Sequence, residues 1–147
     1  MSKISLNDDG TATFYINVVG ENSKETYLGT FTVKCFLSPL EFVKADKLYR
    51  DLLGPDLQNA HSVARSTSFA FAQLQQRVIK CPPFWENKEI GGGHIKDNNV
   101  LSEVLELSFM AQDEFVKSKE REVEDMQKSL TDSIRNGKIA KEDTGDE

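Results

Sequence analysis

Apolar and polar residues alternate over 11–19, where Ala12, Phe14, Ile16 and Val18 fall on one side of an extended chain. The pattern predicts a strand. Asp8-Asp9-Gly10 just before it is a turn signal, which makes Lys3–Leu6 a short hairpin partner. After a polar connection at 20–25, alternation resumes from Tyr27 to Leu37, with Tyr27, Phe31, Val33, Cys35 and Leu37 on one face. Gly29 interrupts that face and marks a bulge or a close backbone approach. Two or three antiparallel strands over about 3–37 are too few to stand alone and must pack on something.

The period then changes. Ser38-Pro39-Leu40-Glu41 places a hydroxyl at the helix cap, proline at the first helical position and glutamate where it can reach back to the cap. Gly54-Pro55 closes that helix, predicted over 39–53 with Phe42, Ala45, Tyr49, Leu52 and Leu53 inward. Ala60, Ala64, Thr67, Phe71, Leu74 and Val78 alternate at spacings of four and three. They predict a second helix starting between Asp56 and Ser62 and running to Lys80, about 60–80. Cys81-Pro82-Pro83-Phe84-Trp85 ends it, and 86–97 reads as a loop around Gly91-Gly92-Gly93.

From Asn98 to Asn136 the chain holds neither Pro nor Gly. Capped by Asp97 or Asn99, it reads as one helix about 58 Å long, against a radius of gyration of about 15 Å for a compact chain of this size. Its first half is dense in core residues: Val100, Leu101, Val104, Leu105, Leu107, Phe109 and Met110. Beyond Phe115 the apolar positions thin to Val116, Val123, Met126, Leu130 and Ile134, a narrow seam at near-heptad spacing interrupted by Lys119. Either this half folds back on its own domain, or it is an arm whose seam another helix covers.

The expected fold class is therefore α+β: a small N-terminal antiparallel sheet packed on a helical body, with a long C-terminal helix. The expected organisation is a body over 1–97, a helix over 98–136 with its proximal half in the core and its distal half an arm, and an acidic disordered tail over 137–147.

Charge narrows the function. The net charge of −6 argues against a nucleic-acid partner, which needs clustered Lys and Arg. Residues 113–147 carry eleven Asp/Glu against seven Lys/Arg, so much of the excess sits in the arm and tail and disfavours a basic membrane-surface helix. No apolar run reaches the roughly 20 residues of a membrane span, and Met1-Ser2-Lys3-Ile4-Ser5 lacks the apolar stretch of a secretory signal. Two cysteines make no disulfide framework, so a reducing cytoplasm is the expected setting.

Chemistry is sparse. His61 and His94 are the two histidines, and Cys81 with His94 falls short of a metal-ligand set. The triple-glycine run lacks the Lys-Ser/Thr of a phosphate loop. The carboxylates Glu103, Glu106 and 120–125 read as solvated helix faces. We therefore expect no enzyme, no catalytic residue, no cofactor and no metal, with a small nucleotide- or metal-binding regulator built on the glycine loop and His94 as the minor alternative. Phe84 and Trp85 either close the end of the core or anchor a partner, and Arg77 is placed to stack on Phe84 or to pair with a helix carboxylate. The candidate partner-binding residues are Phe84, Trp85, Val116, Val123, Met126 and Leu130.

Tyr27-x-Gly29-x-Phe31-x-Val33, Leu37-Ser38-Pro39, Leu53-Gly54-Pro55, Ala72-x-Leu74-x-x-Arg77-Val78-Ile79 and the Pro-Pro-Phe-Trp exit together resemble the tail assembly chaperones of tailed bacteriophages over residues 11–86. The resemblance implies an acidic, non-enzymatic protein made in the host cytoplasm that coats a long helical tape-measure protein until the tail tube polymerises. It brings no functional residues with it, and the helix at 98–136 departs from the compact members. The matching alternative is a structural virion component, a head-tail connector or tail-associated subunit. The expected partners are other protein chains, a tail or virion protein or a second copy in a homo-oligomer.

Overall fold

Four antiparallel strands and three helices follow one another in the computed structural model, which describes the backbone of residues 3–145 and the side chains of 3–136. The strands β1 (Ile4–Leu6), β2 (Thr11–Val19) and β3 (Thr26–Lys34) form a meander, and β4 (Val78–Lys80) adds to the far edge of β3, giving the order β1-β2-β3-β4. The first turn closes as its residues dictate: Asn7 N–H donates to Thr11 O at 2.8 Å, the Asp9 carboxylate accepts from the Thr11 N–H at 3.1 Å, and Gly10 takes φ +82°. The β2–β3 register runs unbroken from Thr11↔Lys34 to Val19↔Thr26, so Phe14 faces Phe31 with ring centroids 5.6 Å apart. Gly29 is the expected close approach rather than a bulge, since a Cβ there would lie 2.3 Å from the Pro82 ring. The register shift falls instead between Thr32 and Val33, opposite β4.

Helix α1 (Pro39–Leu53) has the full capping box: Ser38 Oγ accepts from Glu41 N–H at 3.2 Å and Glu41 accepts from Ser38 N–H at 3.0 Å. Gly54, at φ +83°, donates its N–H to Arg50 O and ends the helix. The expected inward stripe of α1 is narrower than its periodicity suggested. Ala45 is buried, and Tyr49 and Leu53 are half-buried, but Phe42 and Leu52 face solvent. The reason is that α1 packs chiefly on one neighbour, α2 (Ser62–Arg77), and so covers one strip of its circumference.

Helix α2 begins with His61 as its cap, Nδ1 accepting from Val63 N–H at 3.1 Å. It stops at Arg77, three residues before the expected end, because Val78–Lys80 peel away to pair with β3. Val and Ile sit comfortably in an extended edge, and the following Pro82-Pro83 cannot continue a helix. Pro83–Trp85 then form a single 3-10 turn.

Helix α3 is Asn98–Gly145, its backbone passing the expected stop at Asn136-Gly137. The acidic tail expected over 137–147 lies outside the residues whose side chains are described. The chain divides into two units, Met1–Asp113 and Glu114–Glu147. In the first, Ala12, Phe14, Ile16, Phe31 and Val33 of the sheet are buried together with Leu74 of α2 and Val100, Val104, Leu107 and Ala111 of α3. In the second, the hydrophobic side chains from Val116 to Ile134 are exposed. Among the described residues no helix is long and apolar enough to cross a membrane.

Candidate protein-docking surface

Phe84 and Trp85 are brought together, but inward. Trp85 is 3% exposed, with its ring edge-on to Phe31 at 5.3 Å between centroids; Phe84 is half-buried between Tyr27 at 5.2 Å and Phe31 at 5.9 Å. The pair caps the aromatic face of the sheet, so the sequence reading of Trp85 as an interface anchor is corrected: its apolar surface is already covered within the body. The triple glycine belongs to the same arrangement. A Cβ on Gly91 would sit 2.6 Å from Trp85 Nε1, and one on Gly92 would sit 2.8 Å from the far edge of the ring. Gly92 also holds φ +83° and donates to Trp85 O at 2.7 Å, while Gln75 pins Gly91 through N–H···Oε1 at 2.9 Å and Nε2–H···O at 3.0 Å. This loop is glycine-rich because it wraps an indole.

No ligand set forms around the loop. His94 is exposed on an open hollow of about 680 Å³ lined by Glu86, Asn87, Lys88 and Glu89, and among the described residues no group of three His, Cys, Asp or Glu side chains converges as a metal site would need. Burial pushes both thiols, Cys35 and Cys81, above their ordinary value, with the nearby Glu86 adding to the effect at Cys81. That is the opposite of an activated nucleophile.

Two polar side chains hold the body together. Arg77 is buried with no carboxylate partner among the described residues, correcting the expectation that it stacks on Phe84 or pairs with a helix acid. It donates to Gln73 Oε1 at 3.2 Å, Cys35 O at 3.4 Å and Gln112 Oε1 at 2.7 Å, and lies over the Phe109 ring at 4.8 Å. Asp97 is also buried, and its carboxylate accepts from the backbone N–H of Asn22 at 2.7 Å and of Ser23 at 2.9 Å, and from the Ser23 hydroxyl. The Ser23 hydroxyl foremost, with the two backbone donors and the Tyr27 hydroxyl, holds this carboxyl below the usual range against the opposing effect of burial.

Exposed apolar side chains lie on the strands, among them Tyr15, Val19 and Leu28, as well as on the helices, and on α3 they form a row. On α3, Val116, Val123, Met126 and Leu130 are 42%, 48%, 66% and 58% exposed, and Ile134 follows at 59%. These four seam residues share one side of the helix by their spacing of seven, three and four. Lys119, which breaks the seam, is drawn along it: Nζ bonds Glu122 at 3.0 Å and lies 5.5 Å from the Phe115 centroid. Its stem thus covers apolar surface while its charge is met. Phe115, Val116 and Val123 floor a groove of about 380 Å³ edged by Glu120, Glu124 and the Glu122-paired Lys119.

In the body, Ala70, Leu105, Phe109 and Met110 line a second apolar groove of about 570 Å³, edged by Glu106 and Asp113. Sequence reasoning missed it by assigning Leu105, Phe109 and Met110 wholly to the core; a helix whose apolar arc is wider than the single neighbour it packs against was the available signal.

No family model, curated protein or solved structure matches this chain.

Proposed function

We propose that this chain is a non-catalytic, protein-binding assembly factor that receives a helix of another polypeptide along the seam of α3. The observation that carries the reading is the exposure of Val116, Val123, Met126 and Leu130 at heptad spacing on a helix otherwise rich in charge. A lone apolar side chain on a surface is ordinary, but a periodic row is the pattern a partner helix covers. The resemblance of residues 11–86 to phage tail assembly chaperones supports placing the activity in tail morphogenesis in the host cytoplasm, with the chain shielding a helical tail component until it is built in. A permanent virion subunit is the competing placement, decided by whether purified particles contain the chain stoichiometrically.

A photo-crosslinking side chain at Met126 of the full chain, in the cell that makes it, tests the docking itself. The expected result is transfer to another polypeptide, with a crosslinker at Lys128 on the far side giving none. Equal labelling from both positions, or none from either, overturns it.

A further inference from the structure

The charges that flank the seam of α3 are of one sign. With Val116, Val123 and Leu130 at one core position of the heptad and Lys119 and Met126 at the other, the flanking positions hold Asp113, Glu120 and Glu122 and no cation. The positions away from the seam are mixed, with Lys117, Arg121, Lys128 and Arg135 among Glu114, Glu124, Asp125 and Asp132. Glu122 is occupied by Lys119. Glu120 and Glu124, which edge the apolar groove, make no ion pair among the described residues. The groove in the body also has an apolar floor, with Glu106 at its edge.

We infer that the occupant of the α3 groove is a basic amphipathic helix of a different protein, one with an apolar stripe flanked by Lys or Arg; this rests on the docking reading above. A second copy of this chain is a poor fit. Parallel pairing sets Lys119 against Lys119 within the apolar layer, and antiparallel pairing centred on the same stretch sets Glu120 and Glu122 against their own equivalents. Like charges so placed oppose association. A helix with cations at its flanking positions meets Glu120 and Glu124 with opposite charge and lays the apolar parts of its side chains over Val116 and Val123.

The test uses the full chain and two synthetic 21-residue helical peptides, each with Leu at both core positions of every heptad. One carries Lys at the flanking positions and the other Glu. Fluorescence anisotropy at low salt should show the Lys peptide binding about tenfold more tightly, as a few exposed charge pairs supply, and the gap should narrow as salt rises. Glu120→Lys/Glu124→Lys should reverse the order of the two peptides. Val123→Ser/Met126→Ser should weaken both by tenfold or more, which separates groove binding from general attraction to an acidic protein.

Equal binding of the two peptides overturns the basic-partner inference and leaves helix docking standing. So does a dimer of the protein alone, seen by light scattering and abolished by Val123→Ser/Met126→Ser. Binding of the Lys peptide that the serine variant leaves unchanged overturns the groove as its site. No binding of either peptide, together with a monomeric protein, overturns the docking reading itself.

Discussion

The guanidinium of Arg77 lies 4.8 Å from the centroid of the Phe109 ring, with Nη2 2.7 Å from Gln112 Oε1. This contact joins the end of α2 to α3, and the Nη1 bond to Cys35 O draws in the end of β3. A buried cation without a carboxylate partner among the described residues is held here by neutral acceptors and an aromatic face, so fork geometry matters more than charge. Arg77→Lys keeps the charge but cannot reach three acceptors in one plane. It should cost about 1–3 kcal/mol by urea unfolding, the loss expected for a buried polar group left partly unsatisfied. Unchanged stability would remove Arg77 from the scaffold.

Trp85 and Gly92 make a second test. Trp85→Ala removes the largest side chain of the sheet's aromatic cap and should destabilise by about 3–5 kcal/mol. Gly92→Ala meets both a positive φ and the indole edge, and should cost about 1–3 kcal/mol. Thermal unfolding of both variants checks this. If either were neutral in stability, the loop would be free of the ring and open again to a ligand.

These two clusters also show what could be read from residues alone. Local rules worked where one stretch of chain decides the outcome: the capping box at Ser38, the stop at Gly54, the alternation of β2 and β3. They failed where a distant neighbour decides. Val78–Lys80 continued a good helical period, yet the open edge of β3 claimed them. Asp97 stood in the place of a helix cap, but its carboxylate is taken by Asn22 and Ser23, more than seventy residues earlier. Trp85 carried no local sign of its direction; only the run of glycines after it hinted that something bulky needed wrapping. The seam at Val116–Leu130 was legible because its periodicity lies within one helix and none of the described residues of its own unit covers it.

Acid should loosen the body through its carboxylates. Asp97 is held low by Ser23, Glu25 by Lys96, and Glu41 is pushed down to about 2 chiefly by Lys34. Unfolded Asp and Glu bind protons near pH 4, so below that the unfolded chain takes up more protons than the folded one. Stability from these groups is therefore complete above about pH 5 and falls as pH drops toward 2. Melting temperature followed by circular dichroism from pH 7 to 2.5 should decline mainly below pH 4. Asp97→Asn should melt lower than the parent at pH 7 and lose less on acidification. An equal acid loss in both proteins would exclude Asp97 as a contributor.

The seam residues should behave oppositely to the core. Val123, Met126 and Leu130 are 48%, 66% and 58% exposed, and replacing exposed side chains away from caps and cores usually moves stability by no more than about 0.5 kcal/mol. Val123→Ser, Met126→Ser and Leu130→Ser, singly and together, should therefore leave urea unfolding of the protein within about that margin. A helix that docks on these side chains must desolvate them, and its affinity should drop by about tenfold for each truncation that removes a central contact. Stability retained with binding lost is the signature of a surface kept for a partner. If the triple variant instead unfolded more easily by several kcal/mol, the three side chains would be packed within the protein in solution, and α3 would have no free edge to offer.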